Sequence, residues 1–386
     1  MKKLLLFLTI ILIIPSVKAV ELAPQAKSAI LLETSTGSII FEKNSHDKLS
    51  PASMTKMMSM LLIIENIEKG VINWDDMVRA SKNAKDMGGS QILLEEGEEM
   101  SVRDLFKGIS IASGNDAVVA MAEYIGGTVE EFVNMMNKRA ESLGLKDTLF
   151  QNPHGLEEEN HYSSAYDMAI IAKELVKHPE VLKYTSTYED YLREGTNKKL
   201  WLVNTNKLVR FYKGVDGLKT GYTEDAGYCL TATADKGFRL IAVVMGEETS
   251  ELRNKEVSEM LDYAYSQYNL NLIIDDNQIL SKQPVEKGTK KEVEVNSIED
   301  VTILTKKVDK TKKYTYDITY DKIVAPIHIG DKVGTIYLKE DGKDIKQIDI
   351  TVRENIKKAN LLSLYLRYLK EVFIFSWTWL NQVFML

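Results

Sequence analysis

The pattern of apolar residues changes once along this chain of 386 residues, and this change constrains the fold more than any other feature. Up to about Tyr268, apolar residues follow helical spacing or form short continuous runs, whereas beyond Gln278 they alternate with polar residues. A chain of this length accommodates about two domains. We therefore predict an α+β sheet-and-helix domain over residues 20–270, followed by a small all-β domain over residues 275–355.

The second domain is predicted to be antiparallel because its strands alternate with period two and are separated by turn signals. Residues 313–320 and 348–352 alternate in this way, and Gly330-Asp331 and Asp341-Gly342 provide the turns. The sequence contains no visible internal repeat or low-complexity linker. Short, regularly spaced strands of this kind favour a compact β domain.

The first domain combines early strands, a central helical block and late strands that join one sheet. Its predicted elements are a hairpin (29–33 and 38–41), a helix from about Ser53 through Ile67, a strand pair (227–233 and 239–244) and a closing amphipathic helix (251–268). This order indicates an α+β arrangement rather than a purely helical one.

The charge and the rarity of cysteine exclude several classes of function. The formal net charge of −7 argues against a broad nucleic-acid-binding surface. The single cysteine, Cys229, excludes an intramolecular disulfide and a zinc site built on cysteines, and the five histidines show no metal-ligand spacing. We therefore predict no metal, no cofactor and no nucleic-acid partner.

Residues 1–19 have the features of a secretory signal peptide. Two lysines provide the positive region, residues 4–14 the apolar core, and residues 17–19 a small-x-small cleavage site. The alternative is an uncleaved anchor, although the apolar run is too short to span a bilayer comfortably. The pattern predicts an exported protein whose mature chain starts near Val20.

Residues 358–386 are predicted to form a C-terminal amphipathic helix. Apolar and aromatic residues dominate this segment, and Arg367 with Lys370 or Glu371 has helical i, i+3 and i+4 spacing on another side. Two tryptophans near the end of the chain favour a helix that lies in a membrane interface. The alternatives are a true membrane span and a helix packed on the protein itself.

A serine followed three residues later by a lysine occurs twice, and the context separates the two copies. Ser45 and Lys48 lie in a polar stretch where a helix is improbable, whereas Ser53 and Lys56 begin an apolar helical run. On a helix, residues i and i+3 share a face, so the Lys56 amine can approach the Ser53 hydroxyl. A buried lysine loses affinity for its proton and can act as a base toward such a hydroxyl.

Two further short motifs carry candidate binding groups. Ser113 and Asn115 flank a glycine before an apolar helix, where they either cap the helix or supply a relaying hydroxyl and an orienting amide. Lys219, Thr220 and Gly221 end a predicted edge strand, where they either form an ordinary turn or present a charge and a donor to a carboxylate. Each motif by itself is weak evidence.

Together, and in this chain order, the three motifs form the set found in penicillin-binding proteins and class A β-lactamases. The chain resembles the D-alanyl-D-alanine carboxypeptidase family of low-molecular-weight penicillin-binding proteins. The resemblance extends to the sequences around the motifs, at residues 51–56, 112–117, 152–156 and 215–223. The resemblance covers essentially the whole mature chain. It implies a penicillin-binding/β-lactamase-like catalytic domain, a β-rich second domain and an amphipathic C-terminal membrane anchor.

The resemblance also implies a role for each motif residue. The implied catalytic residues are Ser53 as nucleophile, Lys56 as its base, Ser113 and Asn115. The implied substrate-binding residues are Lys219, Thr220, Gly221, Tyr222 and Arg253. The backbone N–H groups of Ser53 and Tyr222 would form an oxyanion hole, and Lys219 with Thr220 would hold the substrate carboxylate.

Three positions carry their own interpretation. Arg253 matches an arginine that relatives use near the same carboxylate, and its alternative is a solvated helix charge. Some relatives have histidine where this chain has Tyr222, a difference that bears on substrate preference and deacylation rate. His154 is interpreted as loop architecture rather than as a chemical group.

The implied reaction removes the terminal D-alanine from a peptidoglycan stem pentapeptide through an acyl-enzyme, which water then hydrolyses. β-Lactam antibiotics would acylate the same serine and inhibit the enzyme. The implied location is the outer face of the cytoplasmic membrane, with the C-terminal helix on the membrane surface. The alternatives are a β-lactamase, with a deacylating glutamate among residues 157–159, and a catalytically silent wall-binding scaffold.

Overall fold

The computed structural model describes residues 21–309 and 311–370. The predicted signal peptide and residues 371–386 of the predicted C-terminal helix lie outside these residues. The chain forms two compact units. Within the described residues, one contains residues 21–31, Phe41–Ala234 and Ile241–Asp262, and the other contains Leu32–Ile40, Asp235–Leu240 and residues 263–309 and 311–370.

The elements up to residue 267 alternate between strands and helices. In chain order they are β1 (Ser28–Glu33), β2 (Ile39–Lys43), a 3-10 turn (Ala52–Thr55), α1 (Lys56–Glu68), β3 (Met77–Arg79), α2 (Lys82–Lys85), β4 (Glu99–Ser101), α3 (Val102–Ala112), α4 (Asn115–Gly126), α5 (Val129–Ser142), α6 (Ala165–Leu175), α7 (Pro179–Thr185), β5 (Glu189–Leu192), β6 (Leu200–Val203), α8 (Leu208–Phe211), β7 (Val215–Thr223), β8 (Gly227–Asp235), β9 (Arg239–Glu247) and α9 (Ser250–Gln267).

A five-stranded sheet with the order β2-β1-β9-β8-β7 joins the early and the late strands. Strands β1 and β9 are buried almost throughout, because both of their faces carry apolar side chains. Strand β7 lies at one edge and pairs antiparallel with β8, with Lys219 opposite Thr231. The predicted hairpin, the late strand pair and the edge position of Lys219, Thr220 and Gly221 are confirmed.

Helix α1 runs through the interior, since every residue from Lys56 to Ile64 is buried. The sequence predicted that this helix starts at Ser53, but the α-helix begins only at Lys56, after the 3-10 turn. Ala52, the first residue of this turn, has φ of 45°, which lies outside the right-handed helical region. Ser53 therefore lies in a tight turn that leads into the helix.

The junction between α3 and α4 consists of Ser113, Gly114 and Asn115. Ser113 ends α3 in the left-handed conformation with φ of 65°, Gly114 is the N-cap of α4, and Asn115 is its first residue. No side chain caps the start of α4. The interpretation of this motif as a side-chain N-cap is therefore wrong, and both polar side chains are available for other contacts.

The C-terminal elements are strands. They are β10 (Tyr268–Ile274), β11 (Ser281–Glu286), β12 (Glu292–Ser297), β13 (Val301–Lys306), β14 (Tyr314–Tyr320), β15 (Ile323–Val324), β16 (Gly334–Glu340) and β17 (Lys343–Val352). Six of them form a sheet with the order β14-β16-β17-β12-β11-β15, and β10 pairs with β13. Alternate apolar residues such as Val295, Ile336 and Ile350 form the core.

The prediction of a purely antiparallel β domain is wrong at one place. Strand β15 pairs with β11 in parallel, with Val285 opposite Ile323. These two strands are far apart in the chain, so the intervening strands provide the crossover that parallel pairing requires. The predicted turn at Asp341-Gly342 does connect neighbouring strands, and both of its residues have the positive φ of a tight hairpin turn.

The predicted start of the C-terminal helix at residue 358 is wrong, because Lys358 forms a β-bridge with Gly288 and the helix begins at Leu361. Residues 361–370 are helical, and their apolar side chains are largely exposed, including Leu362, Tyr365 and Leu366. Arg367 lies on another side of this helix. Its guanidinium donates to the backbone carbonyls of Gly288 and Thr289, at 2.8 and 2.7 Å. Within the residues that the structure describes, no helix is long and apolar enough to cross a membrane.

Candidate active site

The Lys56 side chain is the centre of a hydrogen-bonded cluster that joins three segments of the chain. Its ammonium nitrogen Nζ lies 3.0 Å from Ser53 Oγ, 2.6 Å from Asn115 Oδ1 and 2.8 Å from the backbone carbonyl of His154. Lys56 is completely buried, whereas Ser53 is half-buried. The structure thus brings together the first two sequence motifs around a lysine that water does not reach.

The electrostatic surroundings of Lys56 favour its neutral form. Burial lowers the pKa of Lys56 well below its usual value of 10.5, and the positive charge of Lys219 lowers it further. The carboxylate of Asp116 acts in the opposite direction but has the smaller effect. A lysine whose pKa is depressed in this way can accept the proton of a neighbouring hydroxyl.

The second Ser-x-x-Lys motif has no such arrangement. Ser45 Oγ donates to the carboxylate of Glu42 at 2.7 Å, and the exposed Lys48 lies over the ring of Tyr162 at 4.8 Å. Residues 44–48 form turn and coil rather than helix, as the sequence predicted. Equal spacing therefore produces a serine–lysine contact in only one of the two motifs.

Asn115 is fixed by a loop that the sequence reasoning did not single out. Its side-chain Nδ2 donates to the carbonyl of Gly88 at 2.6 Å, and its backbone N–H donates to the carbonyl of Ser90 at 2.7 Å. Gly89 has φ of 75°, and a Cβ at this position would lie 2.7 Å from the side-chain Nδ2 of Asn115. The adjacent glycines at 88 and 89 were the only sequence signal of this close approach.

The loop that offers the His154 carbonyl is equally constrained. Asn152 Oδ1 accepts the backbone N–H of Gly155 at 2.7 Å, and Gly155 has φ of 86°. A Cβ at Gly155 would lie 1.8 Å from the carbonyl oxygen of Ala52, so only glycine fits. The His154 ring accepts from the N–H of Leu156, and burial lowers the pKa of His154 to about 3. Its backbone, and not its ring, contacts Lys56.

Strand β7 forms the opposite wall of the site. Lys219 is 1% exposed, and Thr220 Oγ1 donates to Thr205 Oγ1 at 2.8 Å. Burial and the nearby Arg253 lower the pKa of Lys219 to about 7. A Cβ at Gly221 would lie 2.9 Å from the carbonyl of Pro51, so this glycine lets the strand pass close to the Ser53 turn.

Arg253 and Tyr222 line the same cleft as Thr220 and Gly221. Arg253 is 5% exposed and donates from Nε and Nη2 to Asn254 Oδ1, at 3.2 and 3.0 Å. Its interpretation as a solvated helix charge is therefore wrong. The Tyr222 ring is exposed and lies 4.3 Å from that of Tyr228, and Arg253 lies 6.0 Å from the centre of the Tyr228 ring.

Ser53, Thr220 and Arg253 are among the residues that line a cleft of about 480 Å³. It is lined by Ser53, Ser90, Ser113, Val203, Thr205, Lys207, Thr220, Gly221, Tyr222, Tyr228, Ser250, Arg253 and Asn254. A serine that contacts a buried lysine, hydroxyls on two walls and cationic groups at one end suit acyl transfer on a substrate with a carboxylate. Carboxylates grouped closely enough to hold a cation occur, within the described residues, at Asp275, Asp276 and Asp300, in the other compact unit.

Comparison with protein families identifies the chain. The family model described as D-alanyl-D-alanine carboxypeptidase matches residues 16–249, well over half of the sequence. The chain belongs to the D-alanyl-D-alanine carboxypeptidase family. A second model, the C-terminal domain of penicillin-binding protein 5, matches residues 268–358.

Individual relatives support this assignment over nearly the full length. The chain is 54% identical to D-alanyl-D-alanine carboxypeptidase DacF of Bacillus subtilis, over 90% of each chain. It is 35% identical to the carboxypeptidase DacC of Escherichia coli, over 86% of this chain and 85% of that one. Its fold is similar to penicillin-binding protein 5 of Haemophilus influenzae, with a TM-score of 0.72 and 33% identity, over 89% of this chain and all of the other.

The family assignment confirms the resemblance predicted from the motifs, the mixed catalytic fold with an all-β second domain, and the enzyme class. Of the three glutamates at 157–159, two have hydrogen-bond partners other than Lys56. Glu157 accepts the backbone N–H of Asp225, and Glu158 accepts from Asn152 Nδ2. The alternative of a deacylating glutamate in this region therefore has no support from the contacts.

Proposed function

We propose that this D-Ala-D-Ala carboxypeptidase uses Ser53 as its nucleophile and Lys56 as the base. The observation that carries the proposal is the 3.0 Å contact between Lys56 Nζ and Ser53 Oγ, at a lysine with a strongly lowered pKa. A neutral amine has two N–H groups, which Asn115 Oδ1 and the His154 carbonyl accept. The nitrogen lone pair then faces the Ser53 hydroxyl.

The substrate is a peptidoglycan stem pentapeptide that ends in D-Ala-D-Ala. Its terminal carboxylate binds at the cationic end of the cleft, to Lys219, Thr220 and Arg253. The backbone N–H groups of Ser53 and Tyr222 stabilise the oxyanion. Two features support this placement: Gly221 brings β7 close to the Ser53 turn, and the buried Lys219 and Arg253 have no counterions of their own in the cleft lining.

The reaction proceeds in two steps. Ser53 Oγ bonds to the carbonyl carbon of the penultimate D-alanine while its proton passes to Lys56. The C–N bond breaks as the proton held by Lys56 passes by way of the Ser113 hydroxyl to the nitrogen of the leaving D-alanine. An ester on Ser53 remains, and Lys56 is neutral again. Water then attacks the ester with Lys56 again as base. A β-lactam acylates Ser53 in the same way as the first step. Its leaving nitrogen remains part of the acyl group, so nothing departs and the ester on Ser53 persists.

The test is D-alanine release from a pentapeptide that ends in D-Ala-D-Ala, with the chain's second Ser-x-x-Lys serine as a matched control. We expect release from the parent and from Ser45→Ala, and none from Ser53→Ala. Labelling by a fluorescent penicillin should follow the same pattern. A folded parent that neither releases D-alanine nor takes up the label would favour the silent wall-binding scaffold instead.

We further propose that the protein is exported, with residues 1–19 as signal peptide, and acts at the outer face of the cytoplasmic membrane. The exposed apolar side chains of residues 361–370 support a membrane-surface helix in the segment that follows Asn360. Deletion of the chain after Asn360 should move the protein from the membrane fraction to the soluble fraction. Unchanged membrane retention would contradict the anchor.

The two-domain division, residues 20–270 and 275–355, belongs to the same proposal. We infer that the β domain acts as a spacer between the membrane and the catalytic domain. Loss of the β domain should reduce activity on polymeric cell wall more than activity on a free pentapeptide. Equal activity on both substrates would contradict the spacer role.

A further inference from the structure

Tyr228 lines the active-site cleft and belongs to none of the three sequence motifs. It lies on β8 directly opposite Tyr222 on β7, so the two side chains share one face of the sheet. Their ring centres are 4.3 Å apart, with an angle of 32° between the ring planes. Tyr222 is the exposed member of the pair, and Tyr228 is half-buried. The ring of Tyr228 therefore has neighbours within the protein as well as in the cleft.

The guanidinium group of Arg253 is the second neighbour of the Tyr228 ring. Its central carbon lies over this ring, 6.0 Å from the ring centre. Gly227 allows the close approach, because a Cβ at this position would lie 2.8 Å from the carbonyl oxygen of Glu247, at the end of β9. The start of β8 thus passes beside the segment that leads into α9, where Arg253 lies. A cation at this distance from a tyrosine ring is attracted to the electrons of the ring face.

The charge of Arg253 is buried but not neutralised. Arg253 is 5% exposed, and within the residues that the structure describes it forms no ion pair with a carboxylate. Its Nε and Nη2 donate to Oδ1 of Asn254, which belongs to a neutral amide. A buried charge is costly unless polar partners compensate for the lost water. An amide oxygen and an aromatic face provide part of this compensation and leave the positive charge for a carboxylate ligand.

We propose that Tyr228 is a positioning residue for the carboxypeptidase reaction, whose ring holds the Arg253 guanidinium in place for the terminal carboxylate of the substrate. The inference rests on the proposed binding of this carboxylate to Lys219, Thr220 and Arg253. Arginine has a long side chain with several rotatable bonds. Fixing such a side chain before the ligand arrives lowers the entropic cost of binding. Tyr228 acts through Arg253 and not on the reacting carbonyl.

This role predicts which step of the reaction depends on Tyr228. The terminal carboxylate leaves with the released D-alanine, so it is present while Ser53 is acylated and absent while the peptide ester is hydrolysed. Loss of the Tyr228 ring should slow acylation and leave the hydrolysis of the same ester unchanged. It should also matter only for ligands that carry the carboxylate. Damage to the fold or to the oxyanion hole would instead affect both steps and both kinds of ligand.

The first test measures acylation of the full-length protein by a penicillin and by its methyl ester, which lacks the carboxylate. We expect Tyr228→Leu to lower the second-order rate constant for the penicillin about 5-fold, roughly the value of one cation–π contact, and to leave that for the ester unchanged. Tyr228→Phe keeps the ring and should match the parent. The matched control is Tyr191→Leu on β5: Lys199 lies 3.8 Å from the centre of the Tyr191 ring, but Tyr191 does not line the cleft, so neither rate should change.

The second test asks whether the effect passes through Arg253. In an Arg253→Ala background, Tyr228→Leu should have no further effect on acylation by the penicillin, because the group that Tyr228 positions is gone. Additive losses in the double variant, equal losses with the penicillin and its ester, or no loss in Tyr228→Leu would each overturn the positioning role. Tyr228→Met also lacks a ring, and it replaces Tyr228→Leu in both tests if the leucine variant does not fold.

A third measurement separates this inference from the mechanism on which it rests. A peptide that ends in D-Ala-D-Ala is titrated into Ser53→Ala and into the double variant Ser53→Ala/Tyr228→Leu, and binding is followed by NMR. We expect the dissociation constant to be about 5-fold higher in the double variant, although neither protein can form an acyl-enzyme on Ser53. If the parent released no D-alanine but this difference persisted, the proposed mechanism would fail and the positioning role would stand. Equal binding to the two proteins would overturn the positioning role, whatever the activity of the parent.

Discussion

Two Ser-x-x-Lys motifs lie eight positions apart in this chain, and they differ in everything except their spacing. Ser45 bonds to Glu42, and its lysine, Lys48, reaches into solvent over an aromatic ring. Lys56 is completely buried and contacts Ser53. The motif supplies a serine and a lysine, but burial and the helix start convert them into a nucleophile and a base.

The difference has a clear physical origin. Lys48 is exposed and lies over the Tyr162 ring, whereas Lys56 is buried against Ser53. Burial removes the hydration that stabilises the ammonium form, and the neighbouring charge of Lys219 adds repulsion. The cost of burying Lys56 is offset by the contacts from Asn115 and His154, which come from two other segments.

The largest difference between the motifs should appear when each lysine is removed. Lys56→Ala should lower kcat/KM for a D-Ala-D-Ala peptide by about 10³-fold, because proton transfer by a positioned base contributes 10²- to 10⁴-fold. Lys48→Ala should stay within about twofold of the parent, as expected for an exposed side chain outside the cleft. Steady-state kinetics on both variants measure this, and comparable losses in the two would erase the distinction between the motifs.

A smaller effect is expected when the support of Lys56 is disturbed without touching the motif. Gly155→Ala places a Cβ against the Ala52 carbonyl and strains the loop that offers the His154 carbonyl. We expect a loss of about 3 kcal/mol in the free energy of unfolding, with activity reduced at least about tenfold in the folded fraction.

The matched control is Gly144→Ala, which also has a positive φ, of 73°, but has open space where the Cβ would lie. It should cost only about 1–2 kcal/mol and leave activity unchanged. Denaturant unfolding and kinetics on both variants separate the steric effect from the backbone effect. Equal costs in the two would show that the contact with the Ser53 turn has no special importance.

How far the sequence predicts this site depends on the separation of the residues. Ser53 and Lys56 are local, so helical spacing and the apolar run predicted their contact. The edge position of β7 followed from the late strand pair. The carbonyls of Gly88 and His154 approach Asn115 and Lys56 from distant segments, and a single sequence carries no periodic signal for such contacts.

The same limit applies to the rest of the fold. The parallel pairing of β11 with β15 and the contact between Tyr228 and Arg253 both depend on tertiary neighbours. Alternation predicted strands in the second domain, but it could not give their order in the sheet. By contrast, the turn at Asp341-Gly342 was predictable because its geometry depends on two adjacent residues.

The smallest expected effect concerns Lys219, the charge next to Lys56. With a pKa of about 7, Lys219 is protonated below that pH and loses its charge as the pH rises through it. Binding of the substrate carboxylate should weaken accordingly. Above pH 7, kcat/KM should therefore fall several-fold below the value expected if only Lys56 changed its protonation state. Lys219→Arg keeps its charge at every pH and should lack this decline. A decline of the same size in Lys219→Arg would assign it to another group.

The most direct measurement of the central claim is the pH dependence of Ser53 acylation by a penicillin, for the parent and Lys48→Ala. At saturating penicillin, weaker binding of the carboxylate above pH 7 does not enter the acylation rate. Lys56 accepts a proton only when neutral, so this rate should rise with pH and level off once Lys56 has lost its proton. We predict a midpoint well below 10.5, identical in both proteins. A midpoint near the ordinary lysine value of 10.5, or one that moves in Lys48→Ala, would contradict Lys56 as the base.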